Sequence, residues 1–175
     1  MNESQRAANE TPGDERAEGA ESSGGAESTD GRGSADGRGS AAAPAGLRRI
    51  NPPELSPPTG FSHAVTATGG RLVLLAGQTA LDGNGAVAGD TLPAQFETAL
   101  SNLLTALRAA GGGPEHLARV TVYATDVADY RAHARELGRI WRKLAGRDYP
   151  AMAVIGAVRL WDEQALVELD GIAVV

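Results

Sequence analysis

The chain has no cysteine among its 175 residues. That excludes a disulfide framework, a thiol nucleophile and a Cys-ligated metal, and it is compatible with a reducing cytoplasm. Long apolar runs are missing as well. Leu72-Val-Leu-Leu-Ala is strand-sized, far short of the roughly 20 residues that cross a bilayer, and the N-terminus lacks the apolar centre of a signal peptide. The third absence is an excess of basic residues. Of the net charge of −6, residues 1–46 supply −5, through nine acids against four arginines. From Leu47 onward thirteen acids face twelve bases, so the body shows none of the basic stripe that nucleic-acid binders carry. These absences point to a soluble, cytoplasmic protein with neither membrane nor nucleic acid as partner.

A fourth absence divides the chain. Before Leu47 there is no Val, Ile, Leu, Phe, Trp or Tyr. Such a segment cannot bury enough apolar surface to offset an ordering entropy of roughly 1–2 kcal/mol per residue. It also repeats itself, as Asp30-Gly-Arg-Gly-Ser-Ala and then Asp36-Gly-Arg-Gly-Ser-Ala. Residues 1–46 therefore read as a disordered, acidic, Ala/Gly/Ser-rich tail. Residues 47–60, with Pro52, Pro53, Pro57 and Pro58, read as an extended lead-in.

The folded domain is expected over 61–175. Phe61–Thr68 and Arg71–Ala76 read as strands joined by Gly69-Gly70, a two-residue hairpin signal. Leu92, Phe96, Leu100, Leu103, Leu104 and Leu107 recur at helical spacing, with Asp90 or Thr91 as cap and Gly111 as terminator. Val120–Ala124 is strand-like. A second helix is expected from its Asp126 cap to about Leu144, and strands near Ala151–Val158 and Leu166–Val174 close the chain. The order ββαβαββ predicts an α+β sandwich, with two helices on one face of the sheet. Its other face needs a cover, and another subunit would supply one.

Motifs of chemistry are few. His63, His116 and His133 share no metal-ligand spacing. Gly111-Gly-Gly-Pro follows a helix and lacks the Lys-Ser/Thr of a phosphate loop, and no serine sits in a nucleophile-elbow context. One feature stands out: Glu168 and Asp170, at i and i+2 in an otherwise apolar strand, point to the same face as Leu166 and Ile172. Burial there would raise a carboxylate's pKa and suit it to proton transfer. Carboxylates facing solvent, or pairing with arginines at a subunit edge, would give the same pattern.

The closing run Tyr149-Pro-Ala-Met-Ala-Val-Ile-Gly-Ala-Val-Arg-Leu-Trp and the strand Ala165-Leu-Val-Glu-Leu-Asp-Gly-Ile-Ala-Val-Val resemble the C-terminal signature of the RidA/YjgF family. Phe61-Ser-His-Ala-Val is similar to the family's opening strand, and Leu75-Ala-Gly-Gln to the end of its second. Gln95 to Gly111, with Asn102-Leu-Leu, resembles its first helix. Thr121-Val-Tyr-Ala-Thr-Asp-Val-Ala-Asp-Tyr resembles the strand and turn before its second helix. In register and in order, these pieces span Phe61 to Val174.

The resemblance implies a chorismate-mutase-like fold and a homotrimer whose three sheets form a central barrel. Ligand clefts would lie between subunits, and many members hydrolyse small reactive enamines and imines without metal or organic cofactor. In deaminating members an arginine after Pro-Ala grips the substrate carboxylate, assisted by a backbone N–H two residues on. A tyrosine near the first strand shapes the pocket, and a last-strand glutamate and a backbone carbonyl position water. Carried over, the arginine position is Met152, the N–H that of Val154 and the tyrosine position Phe61. The glutamate corresponds to Asp170 and the carbonyl to Gly77.

This makes the chain a divergent member without the substrate-binding arginine. A bidentate arginine–carboxylate contact is charge-assisted, and its loss weakens binding by about 10²-fold or more. Arg159 lies about 23 Å along the strand at roughly 3.3 Å per residue, too far to substitute. A pocket of Phe61, Met152 and Asp170 would be apolar with one carboxylate, suited to a neutral or cationic ligand. Two functions follow. One is a hydrolase of small imines or enamines, other than the carboxylated 2-aminoacrylate type, with Asp170 orienting water. The other is a non-catalytic small-molecule-binding or scaffold trimer of the same fold.

Overall fold

The computed structural model describes residues 46–175. The tail expected over 1–46 lies outside the described residues, apart from Gly46. Strands β1 (Gly46–Ile50), β2 (Ala64–Thr68) and β3 (Leu72–Gln78) come first, followed by helix α1 (Leu92–Ala109) and strand β4 (Leu117–Ala124). Helices α2 (Val127–Ala132) and α3 (Ala134–Ala145) then lead to strands β5 (Ala151–Gly156) and β6 (Val167–Val174).

The main sheet has the order β3-β6-β4-β5. β6 pairs antiparallel with both β3 and β4, while β5 joins β4 in parallel. Along each strand the side chains alternate between faces. Val73 and Leu75, Val120 and Val122, and Val167 and Leu169 are buried on the face that α1 covers. Helix α1 is capped by Thr91, whose Oγ1 accepts from Ala94 N, and it buries Phe96, Leu100, Leu103, Leu104 and Leu107. Each such side chain contributes roughly 1.5–3 kcal/mol by leaving water. Helix α3 packs beside α1 and adds Leu137, Ile140 and Trp141 to the same core. The α+β class, with the helices on one face of the sheet, is therefore as the sequence implies. Leu72 and Leu74 on the opposite face are 62% and 72% exposed. Among the described residues nothing covers these two leucines.

Two local expectations change. Gly69 and Gly70 both take positive φ, 69° and 80°, so the chain does turn there. The strands they join nevertheless do not pair. β2 pairs with β1, from Gly46↔Thr68 to Ile50↔Ala64, in a separate two-stranded sheet. The physical cause is the side chains. β2 carries only Ala, Val and Thr and has no buried face, whereas Val73 and Leu75 commit β3 to the core beside β6. The lead-in thus holds a strand, and Arg49 Nε anchors it by donating to Tyr149 O at 3.1 Å. The second helix, expected as one piece, is two. His133 leaves helical geometry (φ −93°, ψ 7°) and its ring nitrogen sits 3.0 Å from Asp129 O. Asp126 caps the first piece, accepting from Asp129 N.

Among the described residues, no helix is long and apolar enough to cross a membrane.

Candidate functional site

Strand β6 alternates between the two faces of the sheet. Val167, Leu169 and Ala173 are buried toward the helices, and Glu168, Asp170 and Ile172 are half-buried on the open face. The open-face carboxylates stand opposite Tyr123 and Thr121 of β4, in the pairs Tyr123↔Glu168 and Thr121↔Asp170. Tyr123 donates its hydroxyl to Asp170 Oδ2 at 3.1 Å. That bond, and then the charge of Asp170, hold the phenol's proton and raise its pKa.

Glu168 leans the other way, over β3. Between Leu75↔Gly171 and Gln78↔Leu169 the register shifts, so β3 carries one extra residue there. A bulge of this kind re-aims the chain locally, and here it brings Gly77 under the Glu168 carboxylate. A Cβ on Gly77 would overlap Glu168 Oε1 and stand 2.9 Å from Cδ, so any larger residue there displaces the Glu168 carboxylate. The Gly77 carbonyl accepts from Gln78 Nε2 at 3.1 Å. Burial raises the Glu168 pKa, and the neighbouring Asp170 and Asp162 carboxylates raise it further. A carboxyl poised this way can give or take a proton nearer neutrality than an ordinary glutamate. Among the described residues no group of His, Cys, Asp or Glu is arranged to hold a metal.

On the helical side, at the sheet edge, lies a groove of about 780 Å³. Phe61, Met152 and Val154 line it together with Trp141 and Tyr149. Two contacts fix the Phe61 segment against the start of β5: Ser62 N donates to Pro150 O at 2.9 Å, and Ser62 Oγ to Tyr149 O at 2.8 Å. Trp141 and Tyr149 stack, with ring centroids 5.5 Å apart. Behind them Tyr130 meets Phe96 edge-on, and burial pushes its phenol pKa up to about 12. Arg135, Arg139 and Arg142 of α3 also line the groove, and no Asp or Glu does.

The structure brings Phe61, Met152 and Val154 together along one groove. It sets Gly77 and Asp170 on the opposite face. Within one protomer, Asp170 does not line this groove, and three arginines do. The carboxylate seated on Gly77 is Glu168, while Asp170 is engaged by Tyr123. Sequence reasoning missed Tyr123 and the α3 arginines. The signal for the arginines was their i, i+4, i+7 spacing, which reads equally well as a solvated helix face.

A family model described as Endoribonuclease L-PSP matches residues 52–175. The structure is similar to that of YyfB, a Rid-family protein of Yersinia pestis. The TM-score is 0.66 and the identity 34%, over 74% of this chain and 98% of that one. It is also similar to Rv2704 of Mycobacterium tuberculosis, a member of the YjgF/YER057c/UK114 family. There the TM-score is 0.50 and the identity 30%, over 66% of this chain and 87% of that one. A sequence relative, the mitochondrial protein mmf2 of Schizosaccharomyces pombe, is 28% identical over 126 residues, covering 71% of this chain and 94% of that protein.

Proposed function

Because the chain belongs to the Endoribonuclease L-PSP family, the RidA/YjgF proteins, we propose that it hydrolyses small reactive imines or enamines other than the carboxylated 2-aminoacrylate type. The observation that carries this reading is the Glu168 carboxylate seated on the Gly77 bulge, its pKa raised by burial and by Asp170. Glu168 accepts a proton from water as it adds to the C=N carbon, and the Gly77 carbonyl orients that water. Asp170 keeps Glu168 basic enough to act and holds Tyr123. Glu168 returns that proton to the nitrogen, giving the carbinolamine; it then takes the carbinolamine's O–H proton and passes it to the same nitrogen, so neutral amine leaves as the carbonyl forms.

Phe61, Met152 and Val154 are the ligand-binding half of the site. They lie on the other side of the sheet from Glu168, so one protomer cannot close the site alone. A homotrimer, packed through the exposed Leu72 and Leu74 face, joins the groove of one subunit to the carboxylates of the next. Met152 offers no cation, so a carboxylate attached to the reacting carbon has no grip from β5. The body carries thirteen acids against twelve bases, which argues against RNA as substrate despite the family's description. A cytoplasmic setting suits the cysteine-free chain.

The test offers the purified protein imines generated in situ from carboxylated and uncharged amines. Acceleration of uncharged imines, lost in Glu168→Gln, supports hydrolysis. No acceleration of any imine, even in Met152→Arg, overturns it and leaves a binding or scaffold trimer. A monomeric mass by light scattering at micromolar concentration overturns the trimer.

A further inference from the structure

We propose that the groove beside α3 binds a small organic anion, with its acid group held by Arg135, Arg139 and Arg142 and its flat apolar body against Phe61 and Trp141. This deepens the reading of the Phe61–Met152–Val154 groove as the ligand-binding half, and it does not depend on hydrolysis.

The first observation is charge. Three guanidinium groups line one groove of about 780 Å³, and no carboxylate does. They are neighbours at i, i+4 and i, i+3 on a single helix, where like charges repel. Among the described residues none of them forms an ion pair; the ion pairs found involve His116, His133 and Lys143. Glu136 lies on the same helix but outside the groove. An anion entering there relieves the repulsion, and planar guanidinium forks match carboxylate or phosphate oxygens.

The second observation is a polar atom without a partner. Trp141 is 2% exposed and lines the groove, yet its Nε1–H is buried and finds no acceptor among the described residues. Buried donors are nearly always paired; Nε1 is covered in this conformation, and a ligand oxygen pairs it once the side chains over it shift.

The third is Gly138. It sits in the interior of α3, where glycine weakens a helix, and it lines the groove. A Cβ there would meet nothing within 4 Å, so packing does not require its absence. Its lack of a side chain keeps the groove open between Arg135 and Arg142.

The floor is apolar and aromatic and the volume that of a small-molecule site. The ligand class is therefore a compact aromatic or planar molecule bearing a carboxylate or a phosphate. If it is an imine, its acid group sits away from the reacting C=N, because the arginines belong to α3 and not to β5.

Isothermal titration of the full chain with naphthoate, naphthyl phosphate and the uncharged naphthylmethanol tests this. At least one anion should bind about tenfold or more tighter than the alcohol. Arg139→Gln and Arg142→Gln should each remove about tenfold of that affinity and leave the alcohol unchanged. Gly138→Leu should abolish binding of all three without lowering the melting temperature, so loss of fold cannot explain it. Equal affinity for alcohol and anions overturns the proposal, as does indifference to the arginine or Gly138 changes. Saturable binding of a short RNA with neither small anion bound overturns it too. Anion binding that survives in Glu168→Gln, with or without turnover, keeps this inference separate from hydrolysis.

Discussion

Gly77 offers a direct test of how the open-face site is built. A methyl group at this position overlaps Glu168 Oε1 and approaches Cδ at 2.9 Å, so the carboxylate must swing away by more than an ångström. Gly77 is not among the residues with positive φ, so alanine meets no backbone strain. Replacing glycine at a tolerated conformation stabilises by about 0.4–1 kcal/mol through the unfolded chain. Driving Glu168 off its preferred rotamer costs about 0.5–1.5 kcal/mol. The two nearly cancel, and Gly77→Ala alone should shift stability by less than about 1 kcal/mol either way. In a Glu168→Ala background there is nothing to displace, and Gly77→Ala should stabilise by the full chain-entropy gain. Urea unfolding of the four proteins, followed by circular dichroism, measures the difference as a coupling of about 0.5–1.5 kcal/mol. A coupling below about 0.3 kcal/mol, the usual additivity error, would refute the seating of Glu168 on Gly77. Turnover gives an independent reading: Gly77→Ala should lose imine hydrolysis while staying folded.

Gln95 is 2% exposed and ties α1 to the start of β6: its Nε2 donates to Gly89 O at 2.9 Å and to Gln164 O at 3.0 Å, and its Oε1 accepts from Leu166 N at 2.7 Å. Gln95→Ala leaves these groups buried without partners and should cost about 2–4 kcal/mol in urea unfolding, with faster amide exchange at Leu166; a loss under about 1 kcal/mol would contradict the clamp. Glu168→Gln should raise the melting temperature at pH 7, because a carboxyl whose folded pKa is raised loses its stabilising contribution as pH climbs past the unfolded value near 4.5. Solvent screening at this half-exposed site limits the gain to about 2 °C, and below pH 4.5 the advantage should vanish; an advantage constant from pH 4 to 8 would assign it to packing and not to charge.

Much of the fold was legible because its signals are local and repeated. The leucines of α1 occupy one face at a period that only a helix satisfies, and Thr91 stands where a cap must. Val73 and Leu75 alternate with exposed neighbours, and Val167 and Leu169 with half-buried ones, as strands with one face in the core do. The pairing of β2 was not legible. A glycine pair reports that the chain turns, but which strand lies alongside depends on distant partners. β6 claims β3 through long-range burial, and the thirteen residues between Ile50 and Ala64 return the chain from β1 to β2. The break at His133 escaped for the opposite reason: the apolar stripe runs on through Tyr130 and Leu137, and a single non-helical residue leaves the period intact.

The site divides along the same line. Sequence spacing makes Glu168 and Asp170 equivalent, since residues at i and i+2 share a face and a chemistry. What separates them belongs to the neighbouring strands. The bulge in β3 delivers Gly77 to Glu168, and Tyr123, paired with Glu168, reaches diagonally to Asp170. One carboxylate is left with a carbonyl and a raised pKa, the other with a phenol to hold. The groove shows the converse case. Arg135, Arg139 and Arg142 lie away from the apolar stripe of α3, where charged residues ordinarily mean solvent. They become a wall only because Phe61 and β5 are carried alongside the helix. Loss of the arginine expected at position 152 therefore does not empty the groove of positive charge. The groove's positive charge stands on a helix and not on a strand, and under the proposed binding that decides which part of a ligand it holds.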